Sequence, residues 1–311
     1  MGMRLCRATF SSRRMDGLRW AFGCGSWQPS RCEWLLAARC VQAEERERIG
    51  AFVFARDAKA AMGGRLLIRK LIAEKLKIPW NEIQLQRTTK GKPFLANPVL
   101  TTIPNFNFNI SHQGDYTVLA AEPNRQVGVD IMKTNFPGTS SVTEFFRIMN
   151  RQFTDHEWKT INMAGDEWAQ LDMFYRHWAL KESFLKAIGV GVGFNLQRIE
   201  FHASPLQMRV GQVSKETIMF LDGDQEEAWA FEETMLDDNH HVAVALSKPD
   251  IVGKYPVQLQ ENINQEQSQF TILAFKDLIS SAIAMAPEDP MYWENFQAKQ
   301  EKTSRQHRVP V

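Results

Sequence analysis

The stretch Trp178–Gly189, WALKESFLKAIG, places an acid and two lysines within a run of large apolar residues. At a rotation of about 100° per residue, its apolar side chains share one broad face of a helix that ends at Gly189. Glu182 and Lys186 lie one turn apart beside that face, whereas Lys181 falls among the apolar residues. The simplest interpretation is an exposed ion pair between Glu182 and Lys186, which would contribute about 0.3–0.5 kcal/mol.

A strand with strict alternation lies about fifty residues before this helix, in QVGVDIM, residues 126–132. Val127, Val129 and Ile131 face one way, which leaves Asp130 on the opposite face. A lone aspartate is unusual in such a position because strands disfavour this residue.

Other segments repeat the combination of helix and strands. NFNFNIS at 105–111 alternates in the same way, and the turn HQGD joins it to YTVLAAE, which predicts a β-hairpin. Apolar rows at i,i+4 predict a helix over 44–78, ended by Pro79. Further helices are predicted around 141–163 and 170–188. Short strands are predicted at 82–87, 93–96, 196–202, 216–221, 227–233 and 241–247.

Each half of the chain therefore has a long helix and several hairpin-linked strands. This predicts an α+β fold, a pseudo-dimer of two similar halves, each with a long helix packed on a small and mainly antiparallel sheet. We expect a flexible N-terminus at 1–15, an N-terminal half at 16–125 and a C-terminal half at 126–248. A linker and a C-terminal extension, partly disordered, are expected at 249–311.

Composition narrows the class of protein. The chain has 311 residues, 44% of them hydrophobic, which is enough for two domains. It contains no run of about 18 apolar residues, so no membrane partner is expected. The net charge is only +1, but residues 44–92 hold 12 Lys/Arg against 6 Asp/Glu, which suits an anionic ligand.

The four cysteines match no CxxC metal pattern and predict reduced thiols in the cytosol. The Arg-rich first residues have no clear amphipathic period, which argues against mitochondrial import.

Several polar segments could carry chemistry. Arg48 stands in a helix of mixed charge, where an arginine is either solvated or an anion ligand. The turn RTTKGKP, Arg87–Pro93, has two lysines and open backbone N–H groups, so it either binds phosphate or is a plain hairpin loop. In NISH, Asn109–His112, the serine and histidine are adjacent on a strand and diverge, which argues against a Ser–His nucleophile. GVGVG, Gly189–Gly193, follows a helix rather than a strand, which argues against dinucleotide binding.

Together these segments resemble the 4′-phosphopantetheinyl transferases, in their larger surfactin-type group. In that family a G-[VI]-D strand precedes a W-x-x-K-E-x-x-x-K helix, as GVDIM precedes WALKESFLKAIG here. The GKP turn and the NISH strand stand where the family has its GKP and SH segments. The resemblance runs from about Trp20 to Leu246. Four motifs in this order are specific, whereas each alone would be weak.

The resemblance implies transfer of 4′-phosphopantetheine from coenzyme A to a serine of an apo carrier domain, with release of adenosine 3′,5′-bisphosphate. It places Mg²⁺ on Asp130 and Glu182, whose carboxylates suit that ion. Glu182 would also accept the serine proton, directly or through water, and Lys186 would stabilise the leaving phosphate. Lys181 would be a structural partner or would orient these groups. Coenzyme A would be bound by Glu182 and Lys186 together with the following residues: Arg48, Arg87, Thr88, Thr89, Lys90, Gly91, Lys92, Asn109, Ile110, Ser111 and His112.

One position departs from the bacterial surfactin-type pattern. Those enzymes have a second acid two residues after the strand aspartate, where this chain has Met132. A thioether is a poor Mg²⁺ ligand. We therefore expect Gln113, which follows His112, to hold a metal-bound water in place of that acid.

The resemblance also implies the partners. The expected carrier domains are those of the fatty acid synthase, aminoadipate-semialdehyde dehydrogenase and formyltetrahydrofolate dehydrogenase types. A monomer is expected because the two halves already form an internal pair. The alternative from another class is a non-catalytic module that binds coenzyme A or a carrier protein. No nucleic acid is expected, because the basic region 44–92 lacks a recognition motif or interleaved aromatic residues.

Overall fold

The structure is a computed structural model that describes residues 16–97, 106–191, 193–249 and 268–300. The predicted flexible N-terminus at 1–15 lies outside the described residues, as does most of the predicted linker. None of the described helices is long and apolar enough to cross a membrane.

The N-terminal half contains three helices and five strands among its described residues. In chain order they are β1 (Leu18–Phe22), α1 (Arg31–Arg39), α2 (Ala43–Gly50), α3 (Ala55–Leu71), β2 (Leu85–Arg87), β3 (Pro93–Leu95), β4 (Phe106–Gln113) and β5 (Tyr116–Pro123). The helix predicted over 44–78 is therefore two helices. The chain breaks it because Val53 O and Ala55 N are hydrogen-bonded to the backbone of Gln300 and cannot continue the α-helical ladder.

The C-terminal half and the segment that follows it supply the remaining elements. They are β6 (Val127–Lys133), α4 (Val142–Met149), α5 (Asp155–Asn162), α6 (Glu167–Ile188), β7 (Ile199–His202), β8 (Val213–Ser214), β9 (Ile218–Leu221), β10 (Asp224–Gln225), β11 (Trp229–Asp237), β12 (His240–Ser247), β13 (Thr271–Leu273), α7 (Phe275–Leu278) and α8 (Pro290–Gln297). The helix predicted over 141–163 is also divided, because Thr154 caps a new helix with Glu157 in a reciprocal capping box.

The two halves stack as four layers. In the N-terminal half, a sheet of order β13-β1-β5-β4 packs on α3, and in the C-terminal half, a sheet of order β6-β12-β11-β8 packs on α6. Successive side chains of each strand point alternately to the helix and to the sheet of the other half. In β1, Trp20 and Phe22 pack with α3, whereas Ala21 packs with Val129 and Ile131 of the other half. In these two sheets the named strands pair antiparallel, except for β1 and β13, which are parallel. The predicted α+β fold of two similar halves is confirmed.

A close approach of α6 to β6 places the charged residues of both elements together. Gly128 has no room for a Cβ atom, because the backbone of Ser183 and Ala187 occupies that place. The glycine thus allows α6 to lie directly on β6. Asp130, two residues further along the same face of β6, is consequently buried beneath this helix.

The segment 268–300 packs on the N-terminal half rather than extending from it. β13 pairs with β1, and Phe275, Leu278 and Phe296 join the core that surrounds α3. Phe296 stacks on Trp34 of α1 with 3.9 Å between ring centroids. This part of the C-terminal extension is therefore an integral part of the first hydrophobic core.

Candidate active site

Strands β4 and β6 meet side by side at the centre of the molecule. The buried Asn109 amide oxygen accepts a hydrogen bond from the Val129 N–H at 2.9 Å. Two residues further along β4, Ser111 Oγ donates to Asp130 Oδ1 at 2.7 Å. Residues i and i+2 of a strand share a face, so both side chains of the NISH segment reach the second half. The hydrogen bonds fix the register at which the two halves present their polar groups.

Lys186 of α6 completes this contact. Its ammonium lies 2.5 Å from Asp130 Oδ1 and 2.7 Å from Ser111 Oγ. The half-buried lysine therefore bridges α6, β6 and β4, and no ion pair with Glu182 is formed. The interpretation of Glu182 and Lys186 as an exposed surface pair is wrong, because α6 lies on β6 and turns the lysine towards the strand aspartate.

Two carboxylate groups at this place have oxygens without a protein partner. Asp130 is only 4% exposed, yet its Oδ2 has no hydrogen-bond partner among the described residues. Glu182 is half-buried and has no described hydrogen bond or ion pair. Desolvation raises the pKa of Glu182 above its ordinary value, the charge of Asp130 raises it further, and Lys186 opposes the rise.

Such oxygens suit a hard divalent cation. A buried carboxylate oxygen without a partner is costly, and two neighbouring carboxylates repel each other, so a cation would relieve both penalties. Mg²⁺ prefers one or two carboxylates together with water and phosphate oxygens. Asp130 and Glu182 therefore suit the role of metal ligands that the sequence analysis predicts for them.

A second cluster, formed by α2, α3 and β2, surrounds Glu45. Arg87 binds this carboxylate through two hydrogen bonds of 3.1 Å. Arg65 lies 3.4 Å and Arg48 4.0 Å from the same carboxylate. One acid thus faces three guanidinium groups and leaves a surplus of positive charge, which suits a phosphate.

The sequence predicted only part of this cluster. Arg48 and Arg87 were expected, whereas Arg65 and Glu45 were not. Glu45 stands three residues before Arg48 on α2, a spacing that could have identified it. Arg65 comes from the middle of α3 without any local pattern. Desolvation lowers the pKa of Arg65 to about 10, with Glu45 opposing and the other two arginines adding to the fall.

His112 is influenced by both groups of charges. Its imidazole is exposed at the end of β4. Desolvation by the surrounding protein lowers its pKa, and the charges of Lys186, Arg48 and Arg65 lower it further, with Asp57 opposing. The charges of Lys186 and of two arginines of the Glu45 cluster therefore both act on His112, which suggests that the two groups belong to one site.

The predicted RTTKGKP turn connects to this site through the end of α6. Lys92 donates to the Lys186 carbonyl at 3.2 Å, and Lys90 donates to the Val190 carbonyl at 2.5 Å. Cations at these carbonyls are favourable because the C-terminus of a helix carries partial negative charge. Thr88 Oγ1 accepts from the Lys92 N–H, while Thr89 and Gly91 are exposed. The turn therefore braces α6, and its contact with a phosphate stays a prediction.

Three other predicted residues are placed as follows. Ile110 turns its side chain towards Gly64 of α3. The side chain therefore points away from the face of β4 that carries Asn109 and Ser111. Gln113 shares the face of Asn109 and Ser111, but its amide oxygen already accepts from the Lys133 N–H. Met132 packs its half-buried side chain against apolar clusters around α6. The Gln113 amide oxygen therefore has one acceptor site already used, and the proposed role of Gln113 at the metal stays a prediction.

Lys181 has a different environment from Lys186. Its ammonium lies 2.7 Å from Glu157 Oε2 and donates to the carbonyls of Gln152, Leu196 and Ile199. Both residues of the ion pair are buried. Lys181 therefore joins α5, α6 and β7 and is a structural residue.

Comparison with known proteins identifies the family. A sequence profile described as "4′-phosphopantetheinyl transferase, N-terminal" matches residues 25–124, and one described as "4′-phosphopantetheinyl transferase superfamily" matches residues 126–245. The L-aminoadipate-semialdehyde dehydrogenase-phosphopantetheinyl transferase of Homo sapiens is 66% identical over 282 residues, 91% of each chain.

Two further relatives, one of them more distant, are also described as phosphopantetheinyl transferases. The Rattus norvegicus protein of the same name is 64% identical over 293 residues, 94% of each chain. The 4′-phosphopantetheinyl transferase Sfp of Bacillus subtilis is 27% identical over 212 residues, which cover 68% of this chain and 84% of the relative. The two profiles and these relatives agree with the motifs GVDIM and WALKESFLKAIG. The chain belongs to the 4′-phosphopantetheinyl transferase superfamily.

Proposed function

We propose that this chain is a Mg²⁺-dependent enzyme that transfers 4′-phosphopantetheine from coenzyme A to a serine of apo carrier domains, in the manner of a holo-acyl-carrier-protein synthase. The observation that carries the proposal is the unpartnered Oδ2 of buried Asp130 beside the unpaired carboxylate of Glu182. A binding module without catalysis would have no reason to keep a buried carboxylate oxygen without a partner next to a second carboxylate.

The reaction exchanges one phosphorus–oxygen bond for another. The serine Oγ of the carrier forms a bond to the β-phosphorus of coenzyme A, the bond to the bridging oxygen breaks, and adenosine 3′,5′-bisphosphate leaves. Glu182 accepts the serine proton, a role that its raised pKa supports. Lys186, held on Asp130 and Ser111, offers positive charge to the leaving phosphate. Mg²⁺, when bound, would neutralise charge on the pyrophosphate.

Coenzyme A would be held by positive charge from both halves. The three arginines around Glu45 would receive its 3′-phosphate, and His112, on which the charges of two of them and of Lys186 act, would contact the phosphates nearby. Guanidinium groups bind phosphate well because their fork of donors matches its oxygens. The turn Arg87–Pro93 and the strand end Asn109–His112 would complete the binding cleft.

The proposed partners are carrier domains of the aminoadipate-semialdehyde dehydrogenase, fatty acid synthase and formyltetrahydrofolate dehydrogenase types. Support comes from the names of two close relatives for the first of these and from the family resemblance for the others. A monomer is proposed because the halves already pair through their sheets. The free Cys24, Cys32 and Cys40 support a location in the reducing cytosol.

Intact-mass analysis tests the proposal. Several apo carrier domains are incubated with the chain, coenzyme A and Mg²⁺, and a mass gain of one phosphopantetheine on the carrier is expected. Omission of Mg²⁺ in the presence of a chelator should abolish the gain. A chain that binds coenzyme A and carrier tightly but leaves the carrier mass unchanged under all these conditions would be a binding module, and the proposal would be wrong.

A further inference from the structure

A second group of metal-binding side chains lies in the C-terminal half. His156, Glu200 and His202 each offer one ligand atom, and these three atoms lie within 4.8 Å of one another. The two imidazole rings stack with 3.9 Å between centroids, and His202 Nε2 lies 2.9 Å from Glu200 Oε1. All three side chains are exposed or half-buried, so a metal and its water could reach them.

Local structure brings these side chains together. Glu200 and His202 are i and i+2 on β7, so they share its outer face while Ile199 and Phe201 point into the core. His156 lies in the first turn of α5, next to Glu157.

On the inner side, a buried hydrogen bond already connects α5 and β7. Glu157 Oε1 accepts from the Phe201 N–H at 3.0 Å, between the two outer ligands of β7. The outer cluster therefore connects the same two elements as this buried hydrogen bond. The distance between α5 and β7 is set from inside, which holds the three ligands near one another.

Donor chemistry distinguishes this group from the carboxylate pair. Two imidazoles and one carboxylate suit Zn²⁺ and similar transition metals, whereas Asp130 and Glu182 offer only oxygens. Tetrahedral zinc with bonds of about 2.0 Å needs ligand atoms about 3.3 Å apart, so the three ligand atoms, which lie within 4.8 Å of one another, would need only a small rearrangement of their side chains. The neighbouring cation Arg198 is neutralised by two hydrogen bonds to Asp222.

We propose that His156, Glu200 and His202 form a transition-metal site that binds Zn²⁺ and clamps α5 to β7 from outside, separately from catalysis. A ligand that binds only the folded chain stabilises it, so Zn²⁺ should raise the thermal midpoint by several degrees at a hundredfold excess over its Kd. Three protein ligands leave a fourth position to water.

The test is a calorimetric titration of Zn²⁺ into the full chain with saturating Mg²⁺ present. One Zn²⁺ should bind with a Kd below about 10 µM, and Co²⁺ should give the visible absorption of a four-coordinate centre. His156→Gln, Glu200→Gln and His202→Gln should each weaken this binding at least ~10-fold and remove the thermal shift. Each should keep the rate of carrier modification, because none belongs to the cleft around Asp130.

Two controls make the result specific. Cys32→Ser removes the exposed thiol, another natural zinc ligand, and should leave the binding unchanged. Asp130→Asn removes the predicted Mg²⁺ ligand and should also leave Zn²⁺ bound, so a failure of the catalytic proposal is separate from a failure of this one. Unchanged Zn²⁺ affinity in the His156→Gln and His202→Gln variants, or no Zn²⁺ bound by the unaltered chain, would overturn the proposal.

Discussion

Lys181 and Lys186 stand five positions apart on α6, yet the carboxylates around them differ in how completely their oxygens are paired. Lys181 and Glu157 are both buried, and every oxygen of Glu157 has a protein donor: Thr154 N–H and Lys181 on one, Phe201 N–H on the other. Around Lys186, Asp130 keeps one oxygen without a partner, and Glu182 makes no hydrogen bond or ion pair within the part of the chain that the structure describes. The fold itself pairs the charges around Lys181, whereas the free carboxylate oxygens around Lys186 can be paired only by a ligand.

This difference separates stability from activity along a single helix. A fully paired buried charge is costly to disturb because its partner is left alone in the interior. An incompletely paired group near the surface contributes little to stability and is available for binding. Substitutions at the two lysines and their acids should therefore change different measurements.

The largest effect is expected at the incomplete pair. Asp130→Asn and Glu182→Gln should each reduce carrier modification at least ~10³-fold, because a neutral amide is a much poorer ligand and base than a carboxylate. Glu182→Gln should not lower the free energy of unfolding, since it removes one of two repelling charges. Asp130→Asn should lower it modestly, because Lys186 loses its charged partner. Initial rates by mass spectrometry and urea unfolding measure the two quantities. A rate near that of the unaltered chain at saturating Mg²⁺ would contradict the assignment of the metal ligands.

The next effect concerns the complete pair. Lys181→Met should lower the free energy of unfolding by ~3–5 kcal/mol, because Glu157 and three carbonyl groups lose their buried donor. The folded fraction, assayed at low temperature, should modify the carrier at the normal rate. A combined Lys181→Met and Glu157→Leu variant should recover part of the stability. A loss of rate without a loss of stability would place Lys181 in the site after all.

A smaller effect on activity is expected at Lys186. Lys186→Met should slow carrier modification ~10²-fold, since it removes the cation proposed to face the leaving phosphate. Stability should fall by about 1–3 kcal/mol, because the lysine is half-buried but its partner Asp130 is buried and loses a charged donor. Lys92→Met, which removes a cation from the same helix end, is the matched control and should slow the reaction less. Equal losses for both variants would show a general electrostatic effect.

Sequence patterns predicted what depends on local order and missed what depends on packing. Alternation placed Asp130 opposite the Val face, and helical periodicity placed Lys181 among buried residues. Neither pattern could show that α6 lies on β6, so Lys186 was paired with Glu182 instead of Asp130. Arg65 was missed because α3 brings it to Glu45 from 20 residues away without a motif. The single helix over 44–78 failed because Gln300, from the far end of the chain, occupies its backbone groups.

The smallest effect on activity is expected at His177. It tests whether every buried polar atom without a partner marks a binding site. His177 of α6 is fully buried, its Nδ1 lies 2.9 Å from the Met173 carbonyl, and its Nε2 has no partner among the described residues. Unlike Asp130, it is uncharged: desolvation lowers its pKa to about 4. We therefore assign it no ligand and expect His177→Leu to keep the rate of carrier modification.

The pH dependence of stability follows from the same pKa. The unfolded histidine takes up a proton below about pH 6.5, whereas the folded one stays neutral to about pH 4. Its contribution is therefore fully present above pH 6.5 and is lost progressively as the pH falls towards 4. At pH 5.5 the loss relative to pH 7.5 should be roughly 1 kcal/mol, and His177→Leu should remove that part of the slope. Urea unfolding of both proteins across this range gives the comparison. If the slopes are identical, His177 is protonated in the folded chain, and its unpartnered nitrogen would then need an anionic partner like those of the catalytic cleft.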